Sequence, residues 1–265
     1  MRFCLRYVRA GRMQIDLNAD LGEGFGAWSM GDDAAMLRIV TSANVACGGH
    51  ASDPTTMWRT LEAARDAGVT VGAHPGFNDP IGFGRRLIPM SSAEIAALVA
   101  AQIGALQGIA AQVGVTVAYV KPHGALGNLA ARDRPVADAI AQAVQAIDPA
   151  MAILAISGTQ SEKAARDAGQ PVFSEIFADR GYLASGQLVP RDQPGAMIHD
   201  AAEASARLLA FLDTGLMPTT DGDPIPLAAQ SICVHGDGPT AVAMATDIRA
   251  RLTAAGVTLR AFAGS

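Results

Sequence analysis

From Met13 onward, short β-branched runs alternate with longer Ala-rich stretches whose apolar residues recur at helical spacing. The strand expectations are 14–18, 43–47, 69–74, 115–121, 152–157, 171–176 and 231–235, with a further one at 258–262. The helices between them carry readable punctuation. One opens at Asp53 with Pro54 in its first turn, carries Met57 and Leu61, and stops at Gly68. A second opens on the capping box Ser91-x-x-Glu94, lines Ile95, Leu98, Val99 and Leu106 on one face, and ends at Gly114. A third runs from about Asp133 through Val136, Ile140, Val144 and Ile147 to the break at Asp148-Pro149, and a fourth from Thr159-x-x-Glu162 to Gly169. Two more are expected over about 195–213 and 239–255. Strands alternating with single helices imply parallel pairing through right-handed crossovers. About seven such units suit a closed or nearly closed (β/α) barrel better than a flat, doubly wound sheet. No internal repeat, low-complexity linker or charge break divides the chain, so 13–265 reads as one domain. Residues 1–12 hold four arginines without the apolar segment of a signal peptide, and read as a basic tail or a mis-assigned start, with Met13 the preferred beginning.

Composition narrows the function classes. Half of the 265 residues are apolar and 17% are charged, which excludes a disordered chain. A net charge of −5 offers no basic field for nucleic acid. The most apolar stretches are broken by polar residues at helical spacing, and no uninterrupted run reaches the ~18–20 residues of a membrane helix. Cys4, Cys47 and Cys233 are too few and too scattered for a disulfide framework, so a reducing cytoplasm is the simpler setting.

Nearly every expected strand ends in a chemically capable residue followed by glycine or proline. The first gives Asp16, Asn18 and Asp20 before Gly22-Glu23-Gly24; the second gives Asn44 and then Cys47-Gly48-Gly49-His50. His74-Pro75-Gly76, Lys121-Pro122-His123-Gly124, Glu175 with Asp179 and Arg180, and His235-Gly236-Asp237-Gly238 follow. In an α/β barrel the carboxyl ends of the strands share one face, where sites are built. Four of the five histidines fall at such ends; His199 alone is expected in a helix, facing solvent. Asp16, Asn18 and Asp20 alternate and so share one strand face toward the barrel mouth. The Gly22–Gly26 run lacks the Lys-Ser/Thr of a P-loop and the spacing of a dinucleotide fingerprint. Lys121 reads as an anion clamp or as the buried partner of Asp16 or Glu175. Cys47 reads as packing, Asp237 as a site residue or a helix cap, and Arg85-Arg86 as an exposed pair or part of an anion-binding lid.

The runs Asp16-Leu-Asn-Ala-Asp-Leu-Gly-Glu-Gly-Phe-Gly26, Asn44-Val-Ala-Cys-Gly-Gly-His50, Gly72-Ala-His-Pro-Gly76 and Gly82-Phe-Gly-Arg-Arg86 resemble the LamB/YcsF family. So do Val120-Lys-Pro-His-Gly-Ala-Leu126, Asp179-Arg-Gly-Tyr182 with Leu188-Val-Pro-Arg191, and Val234-His-Gly-Asp237. Phe77-Asn78 stands where the family more often has an aromatic residue followed by proline. The resemblance implies a seven-stranded β/α barrel of the glycoside hydrolase/deacetylase type, working as the A component of a bacterial 5-oxoprolinase with subunits B and C (PxpB and PxpC). It implies ATP-driven opening of 5-oxo-L-proline to L-glutamate, with ATP as co-substrate accompanied by Mg2+. Self-association of the chain and a resident metal stay open. On this reading Asp16 or Asp20 activates water, Lys121 and Arg180 hold carboxylate or phosphate, and His74 and His123 donate protons. Glu175 and Asp237 orient these groups, while Asn18, Asn44, His50 and His235 complete the substrate surface. The rival reading is a metal-dependent amide or carbohydrate deacetylase-like hydrolase on the same barrel, with Asp20, His50 and His74 as ligands.

Overall fold

The computed structural model describes residues 13–234 and 241–264. The basic segment 1–12 and the segment 235–240, which carries His235 and Asp237, lie outside the described residues.

The strands are β1 (Gln14–Leu21), β2 (Ser42–Ala46), β3 (Thr70–His74), β4 (Val117–Val120), β5 (Ala152–Ile156), β6 (Val172–Phe177), the short pair β7 (Leu216–Met217) and β8 (Ile225–Pro226), β9 (Ser231–Cys233) and β10 (Thr258–Leu259). The order β1-β2-β3-β4-β5-β6-β9 is parallel throughout, and β9 pairs back onto β1, so seven parallel strands among the described residues close a barrel. β10 adds only to the start of β1, outside the ring, through Gln14↔Thr258 and Ile15↔Leu259.

The helices are α1 (Asp33–Met36), α2 (Pro54–Ala67), α3 (Ser92–Val113), α4 (Gly124–Arg132), α5 (Arg134–Ile147), α6 (Gln160–Asp167), α7 (Ala201–Thr214) and α8 (Ala241–Ala254). Their boundaries follow local chemistry. Asp53 accepts from the amides of Thr55 and Thr56 at 2.8 and 3.2 Å, and Gly68 closes α2 in the left-handed region at φ 67°. The Ser91–Glu94 capping box forms, and Gly114 ends α3 at φ 71°. By length and composition α3 could cross a membrane. Here its stripe of Ile95, Val99, Ile103, Leu106 and Ala110 is buried in the barrel's hydrophobic core.

Leu17, Ala19 and Leu21 alternate with the polar residues of β1 and join the apolar layer between strands and helices, with Leu61, Ile140, Val144 and Ile248 from the helices. Each such aliphatic side chain contributes about 1.5–3 kcal/mol on burial. Inside the ring, the lower end is filled by aromatic residues. Phe262, just after β10, packs with its ring centroid 4.8 Å from those of both Tyr119 and Phe173.

The structure departs from the sequence reading in several places. The helix expected from 195 starts at Ala201, because Asp200 caps it by accepting from the Glu203 amide at 2.8 Å. The preceding stretch is a loop stitched by the bridges Arg180↔Met197 and Tyr182↔Leu188. His199 lies before α7 rather than within it. α1, α4 and the β7–β8 hairpin were not anticipated. The strand expected over 258–262 stops at Leu259, which frees Phe262 for the barrel floor.

The close approach of β3 and β4 supplies a test. A Cβ on Gly72 would lie within the van der Waals envelope of the Tyr119 ring, whereas nothing stands within 4 Å of one on Gly104 in the middle of α3. Gly72→Ala is expected to lower the unfolding free energy by about 1–3 kcal/mol. Gly104→Ala is expected to raise it by about 0.5–1 kcal/mol. Urea denaturation of both variants checks the contrast, and equal effects would contradict the packing described.

Candidate active site

The alternation of β1 sets Asp16, Asn18 and Asp20 at three heights inside the barrel. Asp16 is lowest and fully buried. Its Oδ1 accepts from Thr41 Oγ1 at 2.5 Å and Ser42 Oγ at 2.7 Å, and Ser231 Oγ donates to Oδ2. Burial pushes its carboxyl up to about 6, although the three hydroxyls favour the charged form.

Above it, Lys121 at the end of β4 gathers the barrel's polar side chains. Its Nζ lies 3.0 Å from Asp20 Oδ1, 2.9 Å from Glu175 Oε1, 3.1 Å from Asn18 Oδ1 and 3.1 Å from Cys233 Sγ. Asn18 Nδ2 donates to Glu175 Oε1 at 2.9 Å and to Ser231 Oγ at 2.6 Å. Asn44 Nδ2 donates to Asn18 Oδ1 at 2.7 Å and Asp20 Oδ1 at 2.8 Å, and Tyr119 Oη donates to Asn44 Oδ1 at 2.6 Å. Burial opposes the charge of Lys121, yet the neighbouring Asp20, Cys233 and Glu175 hold its ammonium well above the ordinary lysine range. Burial likewise opposes ionisation of Asp20, but His74 and Lys121 outweigh it and hold the carboxyl well below its usual range. Glu175 is raised by burial, with Lys121 pulling the other way.

The histidines form the second half of the site. His74 Nδ1 lies 2.6 Å from the Lys121 carbonyl and His123 Nε2 lies 2.9 Å from the Phe83 carbonyl. A carbonyl only accepts, so both of these nitrogens carry their protons. His74 Nε2 then faces Asp20 Oδ2 at 3.3 Å and His123 Nδ1 at 3.0 Å. His50 stacks on His123 with centroids 3.6 Å apart and planes 4° from parallel, and its Nε2 meets Glu23 Oε1 at 3.1 Å. Burial, reinforced by the adjacent His74, pushes His123 down to about 3; burial and the neighbouring histidines also lower His50. The glycine-rich loop after β3 covers this pair. A Cβ on Gly84 would stand 2.6 Å from His50 Cβ and 2.8 Å from His123 Cδ2. Phe83 beside it takes φ 54°, a left-handed state costing a bulky residue ~1–2 kcal/mol, and turns its carbonyl toward His123.

A cavity of about 430 Å³ opens over these groups, lined by Asp20, His74, Lys121, His123, Glu175 and Arg180 from among the anticipated residues. Arg180 spends two donors on the loop that it anchors, Nε on the Ala196 carbonyl at 3.1 Å and Nη2 on that of Val189 at 2.6 Å. Asn18 and Asn44 lie beneath the cavity, His50 lies behind His123, and Asp16 sits below them all, walled in by hydroxyls. Cys47 is buried with its thiol pushed up to about 12 by burial, in keeping with packing. Arg86 pairs with Asp79, while Arg85 lines the cavity. His235 and Asp237 lie outside the described residues. The sequence reading missed Glu23, which also lines the cavity, together with Cys233 and the hydroxyls around Asp16. An acidic residue held between two glycines just past a strand end was the available signal for Glu23.

Asp16 offers a pH test. Its folded-state value of about 6 exceeds the ordinary 3.8, so its stabilising contribution is complete below about pH 4 and is lost as pH rises through about 6. Asp16→Asn has no such loss. Between pH 4 and 7 its stability relative to the unsubstituted chain is expected to rise by on the order of 2–3 kcal/mol. Urea unfolding across that range checks this, and a pH-independent difference would contradict the buried, proton-binding Asp16.

Comparison with known proteins accords with this site. Residues 15–265 match the model of the LamB/YcsF family. A relative from Pseudomonas syringae pv. tomato, described as the third A component of 5-oxoprolinase in that organism, is 52% identical over 250 residues, 94% of this chain and 98% of the relative. The 5-oxoprolinase A component of Paracidovorax citrulli is 51% identical over 251 residues, 95% of this chain and 100% of the relative. The crystal structure of a lactam utilization protein from Thermus thermophilus superposes with a TM-score of 0.89 at 44% identity, covering 94% of this chain and 100% of that one. A structure from Enterococcus faecalis V583 at 13% identity and TM-score 0.58 shares the fold alone. The chain belongs to the LamB/YcsF family.

Proposed function

We propose that this chain serves as the A component of an ATP-dependent 5-oxoprolinase, opening 5-oxo-L-proline to L-glutamate with subunits B and C (PxpB and PxpC). The observation that carries the reading is the Asp20–Lys121–Glu175 cluster beside His74 and His123, at the floor of a cavity, in a chain about half identical to full-length relatives of that description. Two buried free thiols, Cys47 and Cys233, suit a reducing cytoplasm.

A lactam carbonyl is a poor electrophile. Transfer of the terminal phosphoryl group of Mg2+-bound ATP to its oxygen releases ADP and activates the ring carbon. Water then adds to that carbon, and the C–N bond breaks with its electron pair passing to nitrogen, which takes up a proton. The resulting acyl phosphate is hydrolysed by a second water to L-glutamate and phosphate. Asp20, held ionised and bonded through Oδ2 toward His74, is placed to accept the proton of the attacking water. Lys121 is tied between two carboxylates, so its role is to keep Asp20 charged and oriented rather than to roam as an anion clamp. His74 and His123 supply a path for the proton to the departing nitrogen, and Arg180 and Arg85 on the cavity wall suit the substrate carboxylate or phosphate.

A second reading, a metal-dependent amide hydrolase that works without ATP, is favoured by one observation. Glu23, His50, His74 and His123 bring ligand atoms within 4.8 Å of one another. Co-expression with subunits B and C separates the two. Glutamate release from 5-oxoproline is expected only with ATP, and Lys121→Ala in the assembled complex is expected to reduce it about 100-fold or more. Release without ATP would support the second reading, and no release with all three proteins soluble would overturn the first.

A further inference from the structure

The hydrogen bonds that fix the two histidine tautomers leave a conflict at the centre of the site. His74 donates Nδ1–H to the Lys121 carbonyl, so its Nε2 presents a lone pair. His123 donates Nε2–H to the Phe83 carbonyl, so its Nδ1 also presents a lone pair. These two nitrogens face one another at 3.0 Å, acceptor against acceptor. Glu23 Oε1 lies 3.7 Å from His123 Nδ1 and 3.1 Å from His50 Nε2, adding a carboxylate oxygen to the same small volume. The third histidine is free to present either nitrogen, because the buried Nδ1 of His50 has no hydrogen-bond partner. Acceptors crowded in this way repel unless a positive species sits among them.

We infer that Glu23, His50, His74 and His123 form a binding site for one divalent transition-metal ion, with Zn2+ the chemical type best suited. Three imidazoles and one carboxylate are a borderline-soft donor set of three nitrogens and one oxygen, which matches zinc and cobalt better than magnesium or calcium. Two of the imidazoles are already oriented by backbone carbonyls in the way that outer partners orient metal-bound histidines. The site is built rather than incidental. All four side chains are buried, Gly76 and Gly84 leave room for the stacked rings, and Phe83 adopts its left-handed backbone state where its carbonyl meets His123. The side chains need only close in by a few tenths of an ångström, since ligand atoms now up to 4.8 Å apart must come within about twice a 2.1 Å bond. An ion bound there would supply a Lewis acid for a carbonyl or phosphoryl oxygen at the cavity floor. Asp20, 3.3 Å from His74 Nε2, borders the site but is drawn toward Lys121, so Glu23 rather than Asp20 is the carboxylate ligand.

The test needs neither substrate, ATP nor the other subunits, so its failure is distinct from failure of the oxoprolinase reading. The purified chain is stripped with a chelator and titrated with Zn2+ by calorimetry and with Co2+ by visible absorption. The expected result is one ion per chain with cobalt bands of a low-coordinate nitrogen–oxygen site. Glu23→Gln and His74→Gln are each expected to weaken binding about 10-fold or more, while His199→Gln, outside the cluster, leaves it unchanged. X-ray absorption of the unsubstituted zinc-loaded chain, expected to show three imidazoles, decides the matter if a variant does not fold. Substoichiometric binding, binding unaffected by Glu23→Gln and His74→Gln, or a spectrum without imidazole scattering would overturn the site.

Discussion

An ammonium group sealed inside a barrel sets the terms for everything around it. Lys121 is only 5% exposed, and a lone charge at that depth would cost several kcal/mol. It is tolerated because β1 delivers Asp20 and Asn18, β6 delivers Glu175, and β9 delivers Cys233 to the same nitrogen. Four strands far apart in sequence therefore have to meet at one point. Closure of the ring and neutralisation of the charge are the same event. The polar ladder through Asn18, Asn44 and Tyr119 extends that constraint downward, each member bonded to its neighbour.

The outer shell obeys ordinary folding rules, whereas the mouth departs from them. Helices α2 and α3 have well-formed caps, a glycine closing each in the left-handed region. Around the histidines, by contrast, Phe83 and Ser52 take positive φ, and the buried Nδ1 of His50 and Oγ of Ser52 lack partners. Local departures of this kind concentrate where geometry serves chemistry rather than stability.

The barrel was legible in the sequence because periodicity changes from two to 3.6 at each strand–helix junction, and because caps such as Asp53-Pro54 and Ser91-x-x-Glu94 act locally. α4 escaped notice since Gly124-Ala-Leu-Gly-Asn-Leu-Ala-Ala-Arg132 contains two glycines and follows directly on a strand-end motif. The β7–β8 pair is two residues long on each side, too short for any period. In the site, strand-end position identified Asp20, His74, Lys121, His123 and Glu175. Alternation showed that Asp16, Asn18 and Asp20 share a face, but it carries no information about height. For that reason Asp16, ringed by Thr41, Ser42 and Ser231, was indistinguishable from Asp20 at the cavity. Hydroxyl residues and a loop carboxylate such as Glu23 acquire meaning only from what stands opposite them in space.

Phe262 and its aromatic neighbours give the barrel a floor, and a floor turns a tube into a vessel with a single doorway. Whatever is consumed at the strand ends arrives across the same rim by which its product departs. Entry and exit then compete for one passage instead of flowing through. Any protein that receives or delivers material here has to work at that rim, beside the loops of Gly84 and Arg180, and docking there would govern traffic in both directions at once.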